Sequence, residues 1–238
     1  MIDLYPLPKK IEFLASTAKW TINSSQSVLL LCGLDELKSN SQFEAHSISN
    51  KLNALIRKAK ALEIPIVDLN QYQMLENMAL LGEYVASQKQ IVVVGRISAS
   101  IKQFIQHLSS VAEQFCIIDD AIILENQKQH IQWVDHYTQV GVHHMNTATL
   151  VRLWELSAPT EFILSEKGIL LSIAEYLEIE ILEVNPHVDL RKYGLDSVAM
   201  VSLIGLWRAN GAEIDYERMN DSCTLAQLLP LLVLNKNS

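Results

Sequence analysis

One serine of the chain has neighbours that would suit a hydroxyl to which another group is covalently attached. It lies in the segment Gly194-Leu195-Asp196-Ser197-Val198-Ala199-Met200. Ser197 follows an acidic residue and precedes apolar residues at helical spacing, so its hydroxyl lies at the predicted start of a helix. Two interpretations remain open from these residues alone. The hydroxyl could help to cap the helix, with Gly194 serving the turn before it. Alternatively, it could carry a covalently attached phosphate group, since a helix start exposes the hydroxyl and favours negative charge.

Other pairs of reactive side chains give weaker signals. His143 and His144 could bind a metal ion, but adjacent residues point in different directions and no third ligand is evident, so no metal site is predicted. Asp119 and Asp120 are predicted to form a turn at a strand end, or charge on a solvated surface, rather than a catalytic pair. Widely spaced cysteines predict buried free thiols, and not a disulfide framework or a zinc site: Cys32, Cys116 and Cys223.

The first two thirds of the chain alternate between strand and helix patterns. Short apolar runs predict buried strands, and helical spacing of apolar residues predicts helices between them. The predicted strands are 27–31, 64–69, 91–95 and 115–118, and the predicted helices are 43–61 and about 97–111. Such alternation favours a three-layer α/β fold around a parallel sheet.

Strand patterns end near Thr147, and the rest of the chain favours helices. The predicted domains are 1–155, a linker at 156–161 that contains Pro159, and a small all-α bundle at 162–238. Helical spacing predicts a helix over 166–182 and a second helix that Ser197 opens, with Met200, Leu203, Ile204 and Trp207 on its inward face. A last helix would start after Thr224, with Pro230 bending or shortening it.

Charge and composition exclude several classes of function. The formal net charge is −8, which argues against a nucleic-acid surface. From residue 161 onward there are twelve acidic and six basic residues, so the predicted C-terminal domain is acidic and suited to basic partner surfaces. The amino terminus shows no signal-peptide pattern, and no apolar run approaches the roughly 20 residues that span a membrane. We therefore expect a cytoplasmic protein.

The C-terminal third resembles the aryl carrier domain of catechol-siderophore assembly lines. The resemblance covers residues 161–234 and is carried by the run 189–197 before a helix, then Trp207-Arg208 and Ile214-Asp215-Tyr216. It implies that Ser197 carries a 4'-phosphopantetheine arm from coenzyme A, whose thiol holds an aryl acid as a thioester. It also implies that Gly194, Asp196, Met200, Val201 and Tyr216 face partner proteins. On periodicity alone, Val201 and Tyr216 could equally be core residues.

The same resemblance implies a set of partners. A phosphopantetheinyl transferase would attach the arm, an aryl-adenylate-forming ligase would load it, and a condensation domain of a nonribosomal peptide synthetase would unload it. The aryl acid, of the 2,3-dihydroxybenzoate or salicylate type, would be selected by the ligase.

The N-terminal part resembles an isochorismatase-like domain, which in two-domain proteins of this family precedes the aryl carrier. Its pattern is carried by residues 4–8, Trp20, the strand at 28–31, and the runs 90–95 and 115–122. The resemblance implies a three-layer parallel sheet, a homodimer formed by this domain, and hydrolysis of isochorismate to 2,3-dihydro-2,3-dihydroxybenzoate and pyruvate.

The catalytic positions of that superfamily are not matched. Gly33 stands where the aspartate after the first strand is expected, and Lys89 abuts a strand instead of lying in a middle loop. The helix-start position, often a cysteine, falls near Ile101-Lys102. Acid–base chemistry needs titratable groups that converge, so we expect a degenerate, non-catalytic domain that acts as a scaffold. The alternative is a working isochorismatase that uses Asp35, Lys89 or Lys102.

Overall fold

A computed structural model describes residues 4–16, 18–69, 74–177, 179, 183–221 and 223–232. The chain divides into two compact units, an N-terminal unit (Met1–Ser157) and a C-terminal unit (Ala158–Ser238). The boundary falls inside the predicted linker. That linker is mostly helical, since only Ala158 and Pro159 lie outside the two flanking helices.

The N-terminal unit is built on a parallel sheet. In the described part of the chain the sheet has five strands, in the spatial order β2-β1-β3-β4-β5. These strands are β1 (Ser27–Cys32), β2 (Ile66–Leu69), β3 (Gln90–Arg96), β4 (Phe115–Ile123) and β5 (His143–Met145). Helices connect them: α1 (Leu34–Lys38), α2 (Ser47–Ala61), α3 (Met74–Ala86), α4 (Ala99–Val111), α5 (Gln127–Gln139) and α6 (Thr147–Ser157). The predicted α/β class with a parallel sheet is confirmed.

Two hydrophobic clusters cover the two faces of this sheet. Alternate residues of a strand point to opposite faces, so Leu29 and Leu31 pack with α1, α2 and α6, around Leu52 and Trp154. Val28 and Leu30 of the same strand pack on the other face with α3, α4 and α5. The central strands β1 and β3 are therefore buried on both sides, which explains their continuous apolar runs at 28–32 and 91–94.

The sequence patterns missed several elements. The segment between β2 and β3, for which no helix was predicted, contains α3. His143 and His144 form β5, which pairs with β4, and β4 itself extends well beyond the predicted residue 118.

The expectation that Asp119 and Asp120 form a strand-end turn or a solvated surface is wrong, because both lie inside β4. Asp119 is only 2% exposed. The strand continues through these carboxylates because each has hydrogen-bonding partners, which offsets the cost of burying charge. Asp119 bonds to His144, and Asp120 bonds to Lys51 and Thr147.

Histidine side chains attach residues 4–16, here called the N-terminal segment, to the rest of the N-terminal unit. His46 Nδ1 accepts a hydrogen bond from the Ile48 amide, so its Nε2 donates to the Tyr5 carbonyl at 2.9 Å. His143 Nδ1 lies 2.6 Å from Ser16 Oγ, and His144 Nε2 lies 2.6 Å from the carbonyl oxygen of Leu14.

His130 completes these attachments through a hydrogen-bond chain. The Leu124 amide donates to the Tyr5 hydroxyl at 2.9 Å, and that hydroxyl lies 3.1 Å from His130 Nδ1. His130 Nε2 lies 2.8 Å from the Asp119 carbonyl, so Nε2 carries the proton and Nδ1 accepts from Tyr5. Burial lowers the pKa of His130 to about 4 and raises the pKa of Tyr5 to about 12. Both groups are therefore neutral near pH 7.

The C-terminal unit is helical throughout its described secondary structure. Its helices are α7 (Thr160–Ile163), α8 (Glu166–Tyr176), α9 (Ser197–Ala209), α10 (Tyr216–Asp221) and α11 (Leu225–Leu232). The core holds the predicted inward face of α9, and Trp207 Nε1 donates to Ser172 Oγ of α8 at 3.3 Å. The predicted helix 166–182 ends at Tyr176, and part of its remaining length, residues 178 and 180–182, lies outside the described residues. Pro230 lies inside the short α11.

Candidate functional site

Ser197 is the first residue of α9, and its side chain is exposed. Asp196 is the N-cap, and its Oδ1 accepts a hydrogen bond from the Ala199 amide at 2.8 Å. Among the described residues, none hydrogen-bonds to Ser197 Oγ. The capping role therefore belongs to Asp196, and the serine hydroxyl is left available for chemistry.

Two buried leucines and a backbone hydrogen bond hold the loop before Ser197 in place. A 3-10 turn over Leu190–Tyr193 ends at Gly194. The φ of Gly194 is 102°, a left-handed conformation that favours glycine. Leu190 and Leu195 are buried, at 0% and 3% exposure, and the Leu190 amide donates to the Cys223 carbonyl at 2.8 Å. These anchors fix the position of the α9 amino end.

Asp189 and Arg191 form an ion pair at the start of this turn. The Arg191 guanidinium donates to both Asp189 carboxylate oxygens, and the Arg191 amide donates to Oδ1 at 2.9 Å. These hydrogen bonds hold the pKa of Asp189 well below its usual range. The pair shapes the loop and has no reactive role.

An exposed apolar surface lies beside Ser197 on α9. Val198 is 72% exposed and Val201 is 60% exposed. Tyr216, at 44% exposure, begins α10, which packs against α9. The core interpretation of Val201 and Tyr216 is therefore excluded. Sequence reasoning did not single out Val198, although its place directly after Ser197 could have shown that it lies outside the inward stripe.

Met200 differs from the other residues predicted to face partners. It is 2% exposed and packs inside the C-terminal unit. The structure thus supports its place on the inward face of α9 and contradicts its assignment to a partner-facing surface. Gly194 and Asp196 are both exposed, as that assignment requires.

The carboxyl ends of β1 and β3 mark the crevice where sheets of this topology bind ligands. Gly33 caps the amino end of α1 there, with φ 54°. A Cβ built on Gly33 would lie 3.1 Å from Arg96 Cβ and 3.2 Å from the Arg96 carbonyl oxygen. Arg96 forms an ion pair with Glu36 of α1. A basic side chain and its partner therefore occupy the place beside residue 33.

The residues proposed for an alternative hydrolase do not all converge. Ser27 pairs with Gln90 and Cys32 with Gly95, so Lys89 precedes β3 at its amino end, whereas Asp35 follows β1 at its carboxyl end. These ends lie about 20 Å apart at ~3.3 Å per residue. Lys89 Nζ donates to the Ser25 carbonyl at 2.8 Å, and Lys102 Nζ lies 2.8 Å from Glu125 Oε2. Both lysines therefore have structural partners.

The predicted free thiols are confirmed. Cys32, Cys116 and Cys223 are buried and unpaired with one another. Burial raises the pKa of the Cys32 and Cys116 thiols, which suppresses their reactivity. Within the described ranges, no cluster of three or more His, Cys, Asp or Glu side chains could hold a metal ion. No helix of the described residues is long and apolar enough to cross a membrane.

Residues 167–229 match the family model for the phosphopantetheine attachment site. The matched region runs from α8 into α11 and contains the exposed serine at the start of α9. The chain therefore contains a carrier domain, which holds 4'-phosphopantetheine covalently. The chain has no match among curated proteins.

Proposed function

We propose that this chain is an aryl carrier protein of a nonribosomal siderophore assembly line, with Ser197 as the attachment residue. One observation carries the proposal. Within the region that matches the phosphopantetheine family, Ser197 is an exposed hydroxyl at a helix start that no described residue hydrogen-bonds. When attached, phosphopantetheine supplies a flexible thiol that holds an acyl group as a thioester.

The residues around Ser197 have distinct roles in this proposal. Asp196 caps α9 through the Ala199 amide, so it fixes the helix start. The first-turn N–H groups of α9 and its dipole favour the negative phosphodiester on Ser197. Gly194 gives the turn that exposes the serine. No side chain in the described part of the chain hydrogen-bonds to Ser197 Oγ, so the phosphopantetheinyl transferase would supply the base.

The apolar surface beside Ser197 is the proposed contact for the ligase and the condensation domain. From Ser197 to Trp207, α9 carries no charged side chain. Partner recognition here would therefore rest on burial of Val198, Val201 and Tyr216. Full burial of an exposed apolar side chain contributes roughly 1.5–3 kcal/mol, and each of these partly exposed side chains would contribute less than that.

We propose that the N-terminal unit is a non-catalytic, isochorismatase-like scaffold that forms a homodimer in the cytoplasm. The support is chemical. Gly33 offers no acid or base, and Arg96 with Glu36 occupies the neighbouring space. Asp35 and Lys89 lie at opposite ends of the sheet. A working isochorismatase would release pyruvate from isochorismate, and turnover above that of buffer by the purified chain would overturn the scaffold proposal.

The attachment is tested by intact-mass spectrometry after incubation with coenzyme A and a phosphopantetheinyl transferase. The wild-type chain should gain the mass of one phosphopantetheine. Ser197→Ala should gain nothing, whereas Ser202→Ala, a matched control on the same helix, should gain one arm. Equal loading of the Ser197→Ala variant would exclude Ser197. The cargo follows from loading with cognate ligase and competing aryl acids.

A further inference from the structure

A pocket of about 460 Å³ opens in the N-terminal unit, and its lining does not include Gly33, Glu36 or Arg96. Its walls come from residues 6–10 of the N-terminal segment, Ser47 and Lys51 of α2, Asp119 and Asp120 inside β4, and Asn146 directly after β5. Small-molecule sites have volumes of roughly 300–1,000 Å³. The pocket is therefore large enough for a small organic ligand.

Both carboxylates of this pocket are already neutralised. Asp119 Oδ2 lies 3.0 Å from Nδ1 of the buried His144. Asp120 forms an ion pair with Lys51 and accepts hydrogen bonds from the amide and hydroxyl of Thr147, both at 2.7 Å. Neither carboxylate is therefore free to repel a negatively charged ligand strongly.

The other charged side chains that line the pocket are lysines, and the Glu12 carboxylate close by accepts a hydrogen bond from the Lys9 amide. Lys9 and Lys10 are exposed on its rim, and neither forms an ion pair with a described residue. The amino end of α2 adds partial positive charge at Ser47. A positive pocket on a chain with net charge −8 concentrates small anions in one place.

The part of the wall that directly precedes the lysines in the chain is apolar. Pro6, Leu7 and Pro8 line it, with Pro8 buried and Leu7 packed against the core of the unit. Tyr5, directly before this wall, is fixed by hydrogen bonds to His46 and Leu124. The wall is therefore held in place next to the lysines.

We propose that this pocket binds a small organic monocarboxylate with an apolar body, whose carboxylate lies at Lys9 and Lys10 and whose body packs on Pro6, Leu7 and Pro8. This binding is independent of the attachment at Ser197. It gives the N-terminal unit a ligand-binding role that does not need the crevice filled by Arg96 and Glu36.

Isothermal titration of the full chain with benzoate tests the proposal, with benzamide as the neutral isostere and inorganic phosphate as the anion without an apolar body. Benzoate should bind saturably at one site per chain, more tightly than either control compound, and more weakly as salt rises. The double variant Lys9→Ala/Lys10→Ala should bind benzoate about fivefold more weakly, because two exposed ammonium groups are lost. Lys19→Ala/Lys60→Ala, which removes two exposed lysines outside the pocket, should bind it like wild type.

Three results would overturn the proposal. One is the absence of saturable benzoate binding, and another is equal binding of benzamide or phosphate. The third is wild-type affinity in Lys9→Ala/Lys10→Ala, with circular dichroism showing that the variant is folded. Phosphopantetheine loading at Ser197 is measured separately, so failure of one proposal leaves the other testable.

Discussion

The imidazole of His144 lies between two hydrogen-bond acceptors, the Asp119 carboxylate at 3.0 Å from Nδ1 and the Leu14 carbonyl at 2.6 Å from Nε2. Because both partners only accept, both ring nitrogens must donate, and the ring is a cation. It lies in β5, and Asp135 of α5 adds a second negative charge nearby. His144 thus ties the N-terminal segment to the sheet through its hydrogen bond to Leu14, while its buried ion pair with Asp119 joins β5 to β4.

This pair predicts a loss of stability in mildly alkaline solution. Burial alone would lower the pKa of His144, but the hydrogen bonds to Asp119 and Leu14 and the nearby negative charges outweigh it and raise the pKa. The stabilising contribution of His144 is therefore full below the unfolded pKa of about 6.5. It is lost as pH rises through the higher folded pKa. Urea unfolding of Trp207→Phe measures this, since the remaining tryptophans, Trp20, Trp133 and Trp154, all lie in the N-terminal unit. The free energy of unfolding should fall as pH rises from 6.5.

The control for this pH effect is His144→Gln in the same background. At pH 6 the substitution should cost about 2 kcal/mol, since it removes a charge-assisted hydrogen bond, and the dependence on pH above 6.5 should flatten. An unchanged pH slope in the variant would assign the effect to another group. His130 acts in the opposite range: with a folded pKa of about 4, it lowers stability as pH falls from 6.5 toward 4.

Substitution of the N-cap separates the structural role of Asp196 from its charge. Asp196→Ala should destabilise α9 by about 1 kcal/mol, because the Ala199 amide loses the Asp196 carboxylate as its hydrogen-bond acceptor. Asp196→Asn keeps an acceptor oxygen and should restore the stability. Amide hydrogen exchange of peptides from α9 measures this difference. If the transferase reads the charge, loading at Ser197 should stay slow in both variants; recovery of the rate in Asp196→Asn would show that only the cap matters.

Charge introduced into the apolar surface should impair partner transfer without unfolding the unit. Val198→Asp and Val201→Asp place a carboxylate where a partner would bury a methyl surface, and we expect kcat/KM for acyl transfer to fall about tenfold. Because both side chains are exposed, the melting temperature should change little. Ala209→Asp, which adds the same charge at an exposed position at the far end of α9, is the matched control. Equal losses in all three variants would indicate a general charge effect.

Gly33 tests whether the crevice between β1 and β3 has room for catalytic groups. Gly33→Ala should destabilise the N-terminal unit by about 1–2 kcal/mol. The reasons are that the φ of residue 33 is left-handed, at 54°, and that the new Cβ would lie 3.1 Å from Arg96 Cβ. Gly33→Asp should release no pyruvate from isochorismate, because a carboxylate there meets the Arg96–Glu36 pair. The measurements are urea unfolding and a coupled pyruvate assay. Hydrolysis by Gly33→Asp would show that one substitution repairs the site.

Several features followed directly from residue patterns. The central strands β1 and β3 contain continuous apolar runs because both of their faces are buried, and the inward stripe of α9 repeats at helical spacing. The region around Ser197 carries enough local information to place its hydroxyl at a helix start. Each of these depends on neighbours close in sequence, so periodicity reveals it.

Other features depend on partners distant in sequence. The pairs of Asp119 with His144 and of Lys51 with Asp120 join different elements, and no local pattern indicates that these charges are satisfied. The same holds for β5, a three-residue strand whose pairing with β4 decides its conformation. Arg96 ends β3, and Glu36 lies in α1, which follows β1. The two side chains form a pair because β1 and β3 are neighbouring parallel strands whose carboxyl ends lie side by side.

The sequence by itself therefore determined the α/β class, the helical C-terminal unit and the serine suited to covalent attachment, because local periodicity and capping chemistry encode them. The cap of α9 is a local contact, from the Ala199 amide to Asp196, and the sequence had left open whether Asp196 or Ser197 would make it. Only the tertiary structure decided that Val198 and Val201 are exposed while Met200 is buried, and that Asp119 and Asp120 are paired inside a strand. Burial and hydrogen-bond partnership arise from packing between distant segments, and that packing is what fixes which groups remain free for chemistry.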